Sequence, residues 1–324
     1  MTPMANTKVS IVVPIYNVAQ YIKKCAHSLF AQSFEDIEYI FVDDCSPDNS
    51  IELLNQVLLS YPHRKYSVHI FTHEHNQGLV ATRQTGVSHA KGKYIICLDS
   101  DDWINTDMIQ LLYGEAEKGD YDIVYCNYAE YRNGEYKDVK NIVCQSSNLY
   151  IENILHGNLG AYLWNKLVKR EIYHKAFFNK GYDMWEDLQM SVQLFYYAHN
   201  IRFLDSKPLY YYNLENAVSI SSSKSMKKLN GMIHNIDFIE SFLAEKNIPN
   251  SSTWVYGRKC YCKLHMISNF VSADFWKNTF PELNNALYNQ KDVSLYSKVC
   301  VWLINKRLDV IYNSLQIIKK LLSR

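Results

Sequence analysis

The sequence predicts an α/β protein with a mostly parallel central sheet that carries helices on both faces, followed by a helical C-terminal region. Over about the first 130 residues, short β-rich runs alternate with amphipathic helical stretches, which is the pattern of strand–helix–strand units. From residue 225 onward the pattern is almost wholly helical. With 324 residues and 48% hydrophobic content, the chain is long enough to bury a substantial core.

Five short apolar runs predict the strands of the first half, because each is β-rich and bounded by polar or glycine residues. These predicted strands cover residues 9–13, 39–42, 67–71, 94–98 and 123–125. Helical spacing of apolar residues predicts a helix over residues 21–30. Ser46 followed by Pro47 predicts the N-cap and first turn of a helix that ends near residue 60.

The polar stretch 132–147 breaks this alternation, so we expect an insertion or a change of sheet direction there. Helices are predicted over residues 163–174 and 186–199, followed by two short strands over residues 202–204 and 209–212. The helical remainder has predicted breaks near residues 248–250 and 280–281, where prolines interrupt the pattern.

The charge balance gives no sign of a nucleic-acid-binding surface. Lysine and arginine number 34 against 33 aspartates and glutamates, so no basic field is present and we expect no nucleic-acid partner. The first eight residues lack the apolar core of a signal peptide and no run of about 18 apolar residues follows, which predicts a cytosolic protein. Eight scattered cysteines without a Cys-x-x-Cys pair favour reduced core thiols over a zinc site or disulfides.

Three aspartates, Asp99, Asp101 and Asp102, fall within four positions at the end of a predicted strand. Carboxylates this close repel one another unless a cation lies between them. A hard ion such as Mg²⁺ or Mn²⁺ takes one or two carboxylates together with substrate phosphates. The alternative is an acidic turn that caps a helix beginning near Thr106.

Polar residues follow each of the first four predicted strands, at residues 14–17, 43–46, 73–78 and 99–102. Because ligands bind beyond the carboxyl ends of an open parallel sheet, these segments predict one polar crevice. The chain has neither Gly-x-Gly-x-x-Gly nor a Gly-Lys-Ser/Thr loop, which argues against a dinucleotide-binding dehydrogenase. Arg83, one turn into a predicted helix at the same rim, could pair with a diphosphate; the alternative is a solvent-facing helix arginine.

Four blocks in this order resemble the signature of family 2 glycosyltransferases with the GT-A fold, of the bacterial surface-polysaccharide type. The blocks are VVPIYN at 12–17, VDDCSPD at 42–48, the segment from Asn76 to Arg83, and LDSDDW at 98–103. A fifth block, Trp185-Glu186-Asp187 at the start of a predicted helix, resembles the Glu-Asp pair of the family. The resemblance reaches about residue 220 and does not extend over the C-terminal third.

The resemblance implies roles for these residues. The base and ribose of a nucleotide sugar, usually a UDP-linked one, would be held by Pro14, Tyr16, Asn17, Asp43 and Asp44. Asp101 would be the principal ligand of Mn²⁺ or Mg²⁺, and Asp99 would face both the ribose and the metal. Asp187 would be the general base. The other substrate-binding residues that the motifs imply are Asn76, Gly78, Arg83, Ser100, Lys166 and Glu186.

The roles of Lys166 and of the segment after Tyr212 are each open to two interpretations. Lys166 lies in a segment, residues 163–170, that resembles a block of bacterial members, although a basic helix face would also explain it. After the paired tyrosines many relatives carry Arg or His, whereas here Tyr212 is followed by Asn213-Leu214-Glu215-Asn216. We therefore expect a weaker loop contact to the phosphates, or one supplied by another residue such as Lys224.

An apolar stripe is predicted near the C-terminus, with basic residues around it. The stripe consists of Ile304, Leu308, Ile311, Leu315, Ile318 and Leu322. Packing on the body of the protein, a homodimer contact between helix pairs, and a peripheral membrane contact would each cover it.

The motifs and the family they resemble predict an inverting, metal-dependent glycosyltransferase that moves a sugar from a nucleotide sugar to a glycan hydroxyl. The resemblance further implies an acceptor that is a glycan or lipid-linked saccharide at the inner face of a membrane. We expect a GT-A catalytic domain over residues 1–222, with a nucleotide-binding half over about 8–130 and an acceptor half over about 131–222, and a helical region over 223–324. One rival is a sugar-nucleotide nucleotidyltransferase, which would show a glycine-rich, basic loop after the first strand. Another is a catalytically inactive glycan-binding or scaffold protein, against which Asp101 and Asp187 argue.

Overall fold

The structure is a computed structural model that describes residues 7–216, 225–289 and 293–322. The chain divides into two compact units, Met1–Ser222 and Ser223–Arg324. All described strands lie in the first unit: β1 (Val9–Ile15), β2 (Ile37–Asp43), β3 (Val68–Thr72), β4 (Tyr94–Cys97), β5 (Trp103–Ile104), β6 (Ile123–Cys126), β7 (Tyr128–Arg132), β8 (Glu135–Val139), β9 (Lys166–Lys169), β10 (Ile201–Leu204) and β11 (Tyr210–Asn213).

The central sheet of the first unit contains seven of these described strands in the order β10-β6-β9-β4-β1-β2-β3. The neighbours pair in parallel, except that β9 is antiparallel to both β4 and β6. Every residue of β1, β2 and β4 is buried, as expected for a sheet covered on both faces. The predicted fold class is therefore confirmed, and β1 to β4 end at one common edge.

Helices cover both faces of this sheet. The described helices of the first unit are α1 (Ile22–Phe30), α2 (Ser50–Leu58), α3 (Leu79–His89), α4 (Met108–Lys118), α5 (Ser147–His156), α6 (Arg170–Lys175) and α7 (Glu186–Tyr197). Residues of α1, α2 and α4 share one core with Ile11 and Val13 of β1. On the opposite face α3 approaches so closely that a Cβ on Gly86 would lie 2.3 Å from a methyl group of Val12.

Two predictions about local structure in this unit are wrong. The predicted helix over 163–174 is instead strand β9 followed by the six-residue helix α6. All of β9 is buried between β4 and β6. Its backbone pairs with both strands, whose N–H and C=O groups would otherwise be buried without hydrogen-bond partners. Helix α2 begins at Ser50 rather than at Pro47, and the Ser46 hydroxyl instead accepts a hydrogen bond from the N–H of Asn17 at 2.8 Å.

The predicted break over 132–147 is a change of sheet direction. β7 turns at Asn133-Gly134 into the antiparallel β8, and these strands belong to a small sheet with the order β5-β11-β7-β8. Helix α5, which starts at Ser147 with the Ser146 hydroxyl as its N-cap, was not predicted. Helix α7 and strands β10 and β11 confirm the predicted elements over 186–199, 202–204 and 209–212.

The second unit is helical in its described part, as predicted. Its helices are α8 (Met226–Glu245), α9 (Ser251–Ser268), α10 (Ala273–Asn278), α11 (Leu295–Asn305) and α12 (Asp309–Leu322), with short 3-10 turns at Pro281–Leu283 and Ala286–Asn289. The breaks near 248–250 and 280–281 are confirmed. No helix in the described ranges combines the length and the apolar character that crossing a membrane requires.

The prediction of one continuous apolar stripe through Ile304 and Ile318 is wrong. Arg307 adopts a left-handed conformation, with φ +57°, and separates α11 from α12, so the helical phase does not run through. Ile304 is buried, whereas Ile311 and Ile318 are exposed. The side chain of Leu322 lies outside the described residues.

Candidate active site

The ends of β1 and β2 form one side of the common sheet edge. Pro14 is buried within β1, and the chain leaves the sheet at Tyr16, which is 49% exposed. Asn17 has a left-handed backbone, with φ +55°, and its N–H donates to Ser46 Oγ. The Asp43 carboxylate accepts from the N–H of Ser46 at 2.9 Å. These contacts fix both strand ends and leave Tyr16 and Asn17 facing solvent.

Asp44 connects β2 to the loop that follows β3. Its two carboxylate oxygens accept hydrogen bonds from the N–H groups of Gln77 and Gly78, at 2.8 and 2.9 Å, and one of them lies 2.7 Å from His73 Nδ1. Asp44 is buried, and its hydrogen bonds shape the loop that leads into α3. Asn76, in the same loop, is exposed.

Gly78 is the N-cap residue before α3 and has a conformation that glycine alone adopts readily, with φ +90° and ψ +166°. A Cβ at this position would also lie 2.8 Å from both carboxylate oxygens of Asp183. The Asp183 carboxylate in turn accepts a hydrogen bond from the N–H of Val80 at 3.2 Å. The segment before α7 is thereby anchored on the first turn of α3.

Arg83 lies between two acids that come from distant parts of the chain. Its Nη2 is 2.6 Å from Asp99 Oδ1, just beyond β4, and its Nη1 forms an ion pair with Glu186 in the first turn of α7. Arg83 and Glu186 are both buried, and Asp99 is partly buried. The alternative of a solvent-facing arginine is therefore wrong.

The other two acids of the aspartate cluster have different surroundings. Asp102 is buried and accepts hydrogen bonds from the Tyr210 hydroxyl and from the N–H of Asn213, which tie it to β11. Asp101 is half-buried, and Asn216 Nδ2 donates to it at 2.8 Å. Burial and the charge of Asp99 raise the pKa of Asp101 above its usual value. Ser100, between them, is buried.

Asp187 differs from Glu186, although the two are adjacent. Glu186 is buried and paired with Arg83, whereas Asp187 is half-buried and accepts a hydrogen bond from the N–H of Leu188 at 2.7 Å. Burial raises the pKa of Asp187, while the charges of Arg83 and Lys166 act in the opposite direction. A carboxylate with a raised pKa is a stronger proton acceptor than an ordinary aspartate.

Lys166 is fully buried in β9 and is not on a basic helix face. Its ammonium group donates to the backbone oxygens of Gly160 and Tyr162 and to Asn165 Oδ1. Burial lowers its pKa to about 7, and the charge of Asp187 opposes that shift. Lys166 therefore holds the 160–162 loop, and in its protonated form its charge acts on Asp187 from within the protein.

The site fits a divalent cation only in combination with a ligand. Within the ranges that the structure describes, no group of three or more His, Cys, Asp or Glu side chains is placed to hold a metal ion by itself. Asp99 and Asp101 nevertheless bring two carboxylates together, and their mutual charge is reflected in the raised pKa of Asp101. One or two carboxylates together with diphosphate oxygens are a common coordination set for Mg²⁺.

The sequence profile described as "Glycosyl transferase family 2" matches residues 10–184, which is more than half of the chain. The chain belongs to this family. The match ends at Met184, and the five motif blocks that carry the resemblance lie within it or directly after it.

Named relatives are similar over part or most of the chain. GlyA of Streptococcus pneumoniae, a glycosyltransferase, is 27% identical over 76% of this chain and 36% of its own length. EpsJ of Bacillus subtilis, an uncharacterized glycosyltransferase, is 33% identical over 66% of this chain and 62% of its own length. A cholesterol galactosyltransferase of Borreliella burgdorferi is 25% identical over 90% of this chain and 83% of its own length. This family 2 chain thus spans between about a third and two thirds of the first relatives it matches.

Solved structures share the fold of this family 2 chain. S. aureus TarS 1–349 in complex with UDP-GlcNAc superposes with a TM-score of 0.61 at 19% identity, covering 97% of this chain and 91% of TarS 1–349. The mannosyltransferase PcManGT of Pyrobaculum calidifontis, in complex with GDP-Man and Mn²⁺, superposes with a TM-score of 0.53 at 14% identity, covering 98% of this chain and 88% of that one.

Three residues of the site were not singled out from the sequence: Asp183, Asn213 and Asn216. The two asparagines fall where the chain departs from the Arg or His of many relatives, and an amide that can donate to an aspartate cluster was a usable signal. Asp183 had only its position shortly before the Glu-Asp pair to mark it. Lys224, suggested as another phosphate contact, lies outside the described residues.

Replacing Gly78 by alanine is expected to destabilise the protein by about 1–3 kcal/mol, because only glycine adopts this backbone conformation without strain. Chemical denaturation measures the effect. Gly114, in the middle of α4, is the matched control, since a Cβ added there would meet nothing within 4 Å. Its alanine variant should gain up to about 1 kcal/mol. Equal changes in unfolding free energy at both glycines would show that the backbone conformation of Gly78 does not require glycine.

Replacing Arg83 by methionine should cost about 3–5 kcal/mol of unfolding free energy, because removing one partner leaves buried carboxylates without their counter-charge. Arg83→Lys keeps the charge but lacks the planar fork, so it should recover part of the loss. Urea unfolding of both variants measures the difference. A loss below about 1 kcal/mol in Arg83→Met would mean that water already screens this cluster.

Proposed function

We propose that this chain is an inverting, metal-dependent glycosyltransferase that transfers a sugar from a nucleotide sugar, UDP-linked, to a hydroxyl of a glycan or lipid-linked saccharide. The observation that carries the proposal is the bridge from Asp99 through Arg83 to Glu186. This bridge connects the aspartate cluster to the turn that holds Asp187, so a donor site and a general base belong to one site. Family membership supports the reaction class.

We assign catalysis to residues 1–222, with the nucleotide in the half formed by about residues 8–130 and the acceptor in the half formed by about 131–222. In this assignment Pro14, Tyr16, Asn17 and Asp43 line the base and ribose site at the ends of β1 and β2. Asp44 positions the donor site without contacting the donor, because its carboxylate already accepts hydrogen bonds from the N–H groups of Gln77 and Gly78. The helical residues 223–324 form a separate region.

The complexes of TarS with UDP and UDP-GlcNAc and of PcManGT with GDP-Man support a nucleoside-diphosphate sugar as the donor. Asp101 and Asp99 would hold Mn²⁺ or Mg²⁺, as the manganese in the PcManGT complex suggests. When bound, the ion supplies positive charge that stabilises the departing diphosphate. Arg83 places a further positive charge at the same end of the site, although its ion pairs with Asp99 and Glu186 hold it back from solvent.

Asp187 is the base in this proposal. It takes the proton of the acceptor hydroxyl while that oxygen forms a bond to the anomeric carbon, and the bond from that carbon to the diphosphate breaks with its electron pair leaving on the nucleoside diphosphate. Glu186 is not equivalent, because its carboxylate is paired with Arg83. A single base with no carboxylate nucleophile implies one displacement and inversion at the anomeric carbon.

Names of relatives support an acceptor that is a glycan or a lipid. They include a chondroitin synthase of Pasteurella multocida, 36% identical over 39% of this chain, and the cholesterol galactosyltransferase of Borreliella burgdorferi. The rival function, a catalytically inactive glycan-binding or scaffold protein, predicts that the wild-type chain transfers no sugar, so that variants of Asp187 have no transfer activity to lose.

Replacing Asp187 by asparagine should reduce transfer by about 10²–10⁴-fold, the usual contribution of a positioned base, and leave binding of UDP unchanged. The asparagine side chain keeps the acceptor for the Leu188 N–H, so the fold should not change. Product formation from radiolabelled UDP-sugars and calorimetry of UDP measure the two quantities. Glu171→Gln, an exposed acid in the first turn of α6, is the matched control and should retain full activity.

The same assignment fixes the sign of the pH dependence. Because burial raises the pKa of Asp187, kcat/KM should fall with decreasing pH at a value above the ~3.9 of an ordinary aspartate. Arg83 lowers this pKa, so the acid limb should move to higher pH in Arg83→Met and much less in Arg83→Lys. An acid limb unaffected by Arg83→Met, or full transfer by Asp187→Asn, would place the base elsewhere.

Replacing Asp101 by alanine should weaken manganese-dependent binding of UDP by at least about tenfold, because the variant lacks the principal carboxylate ligand. Isothermal titration of UDP with and without Mn²⁺ measures the dependence. Asp107→Ala removes an exposed acid at the start of α4 and should bind like the parent protein. Unchanged manganese dependence in Asp101→Ala would refute the metal assignment.

A further inference from the structure

The outer face of α12 is apolar. Five apolar side chains of this helix are between 50% and 79% exposed: Val310, Ile311, Ile317, Ile318 and Leu321. At 100° per residue these positions fall within an arc of about 120° on the helix surface. A helix on the surface of a soluble protein usually presents its polar side to solvent, whereas α12 presents its apolar side. An exposed apolar face of this kind indicates a surface that binds a partner.

Contacts on the opposite side of α12 keep this face turned outward. Tyr312 and Gln316 are buried, and the Tyr312 hydroxyl donates to the backbone oxygen of Val271 at 3.0 Å. Asp309, at the start of the helix, forms an ion pair with Lys277 at 2.5 Å. Turning the helix to bury its apolar arc would break these interactions, so the arc is not a displaced part of the core.

Helix α11 adds a second exposed apolar stripe in the same unit. Leu295, Val299 and Trp302 follow at four- and three-residue spacing and are each at least 42% exposed. Tryptophan is enriched where proteins meet the interface of a bilayer, because its ring is apolar and its N–H is polar.

The charge of this region is strongly positive. Residues 293–322 contain five lysines and arginines and one acid, Asp309, whose charge is already paired with Lys277. Lys306, Arg307 and Lys319 are exposed. The rest of the chain contains 29 lysines and arginines and 32 aspartates and glutamates, so positive charge is concentrated in the segment that carries the apolar face.

We propose that α11 and α12 dock on the surface of a lipid bilayer that is rich in anionic headgroups. Apolar side chains on one arc with lysines and arginines beside them are the pattern of helices that lie in the plane of the bilayer surface. Each basic residue near such a surface adds electrostatic attraction. A second copy of this chain fits less well, because two such surfaces would bring their positive charges together. The proposal does not depend on the transferase assignment.

Flotation of the full chain with vesicles tests the proposal. Wild-type protein should bind vesicles of phosphatidylglycerol and phosphatidylcholine, bind pure phosphatidylcholine at least several-fold more weakly, and lose affinity as salt is raised. Val310→Ser/Ile317→Ser/Ile318→Ser should reduce the partition coefficient at least tenfold without altering net charge. Lys306→Gln/Arg307→Gln should reduce binding to the anionic vesicles alone. Leu59→Ser, which removes an 82% exposed leucine from the first unit, is the control and should bind like wild type.

Several results would overturn the proposal. Absence of binding to anionic vesicles, equal binding to both compositions, or unchanged binding of the triple serine variant would each do so. A wild-type dimer in light scattering that the serine variant converts to monomer, without vesicle binding, would assign the surface to a second copy instead. Circular dichroism confirms folding of each variant, and Ile317→Ser alone replaces the triple variant if that one fails to fold.

Discussion

The buried ion cluster of Arg83, Asp99 and Glu186 is the interaction on which the candidate active site depends. It joins the end of β4 to the first turn of α7, two segments almost ninety residues apart in sequence. Burying a guanidinium costs desolvation energy that two carboxylate partners offset. Because Asp187 follows Glu186 directly, the cluster also fixes the proposed base relative to the aspartates that are proposed to hold the donor.

The negative charge at this edge of the sheet exceeds what Arg83 can neutralise. Asp102 is tied to β11 by Tyr210 and by the backbone of Asn213, so it connects the two sheets of the first unit. Asp99 is paired with Arg83 and Asp101 accepts a hydrogen bond from Asn216, yet burial and the charge of Asp99 still raise the pKa of Asp101. Charge repulsion inside the cluster is the physical basis of the proposed metal site, in which diphosphate oxygens would complete the coordination.

The second unit carries the surface that is proposed to contact a membrane. Its outer apolar arc and concentrated positive charge suit an anionic bilayer surface, and a lipid-linked acceptor would be found at such a surface. The two proposals rest on different residues and can fail separately. Together the two proposals describe a transferase that binds the membrane surface at which its acceptor lies. No helix in the described ranges is long and apolar enough to span that membrane.

The sequence by itself determined the parallel sheet, the polar ends of its strands, and the positions of Arg83 one turn into a helix and of Asp187 on the first turn of another, because these depend on local periodicity and strand order. The tertiary structure decided that Lys166 lies in a strand rather than a helix, that Asp183 anchors the segment before α7 on α3, and that Ile318 faces outward. Local patterns identify which residues are apolar or charged, but not which distant segment they will contact. Partners that lie about a hundred residues apart, such as Asp183 and Val80, are selected only when the whole chain packs.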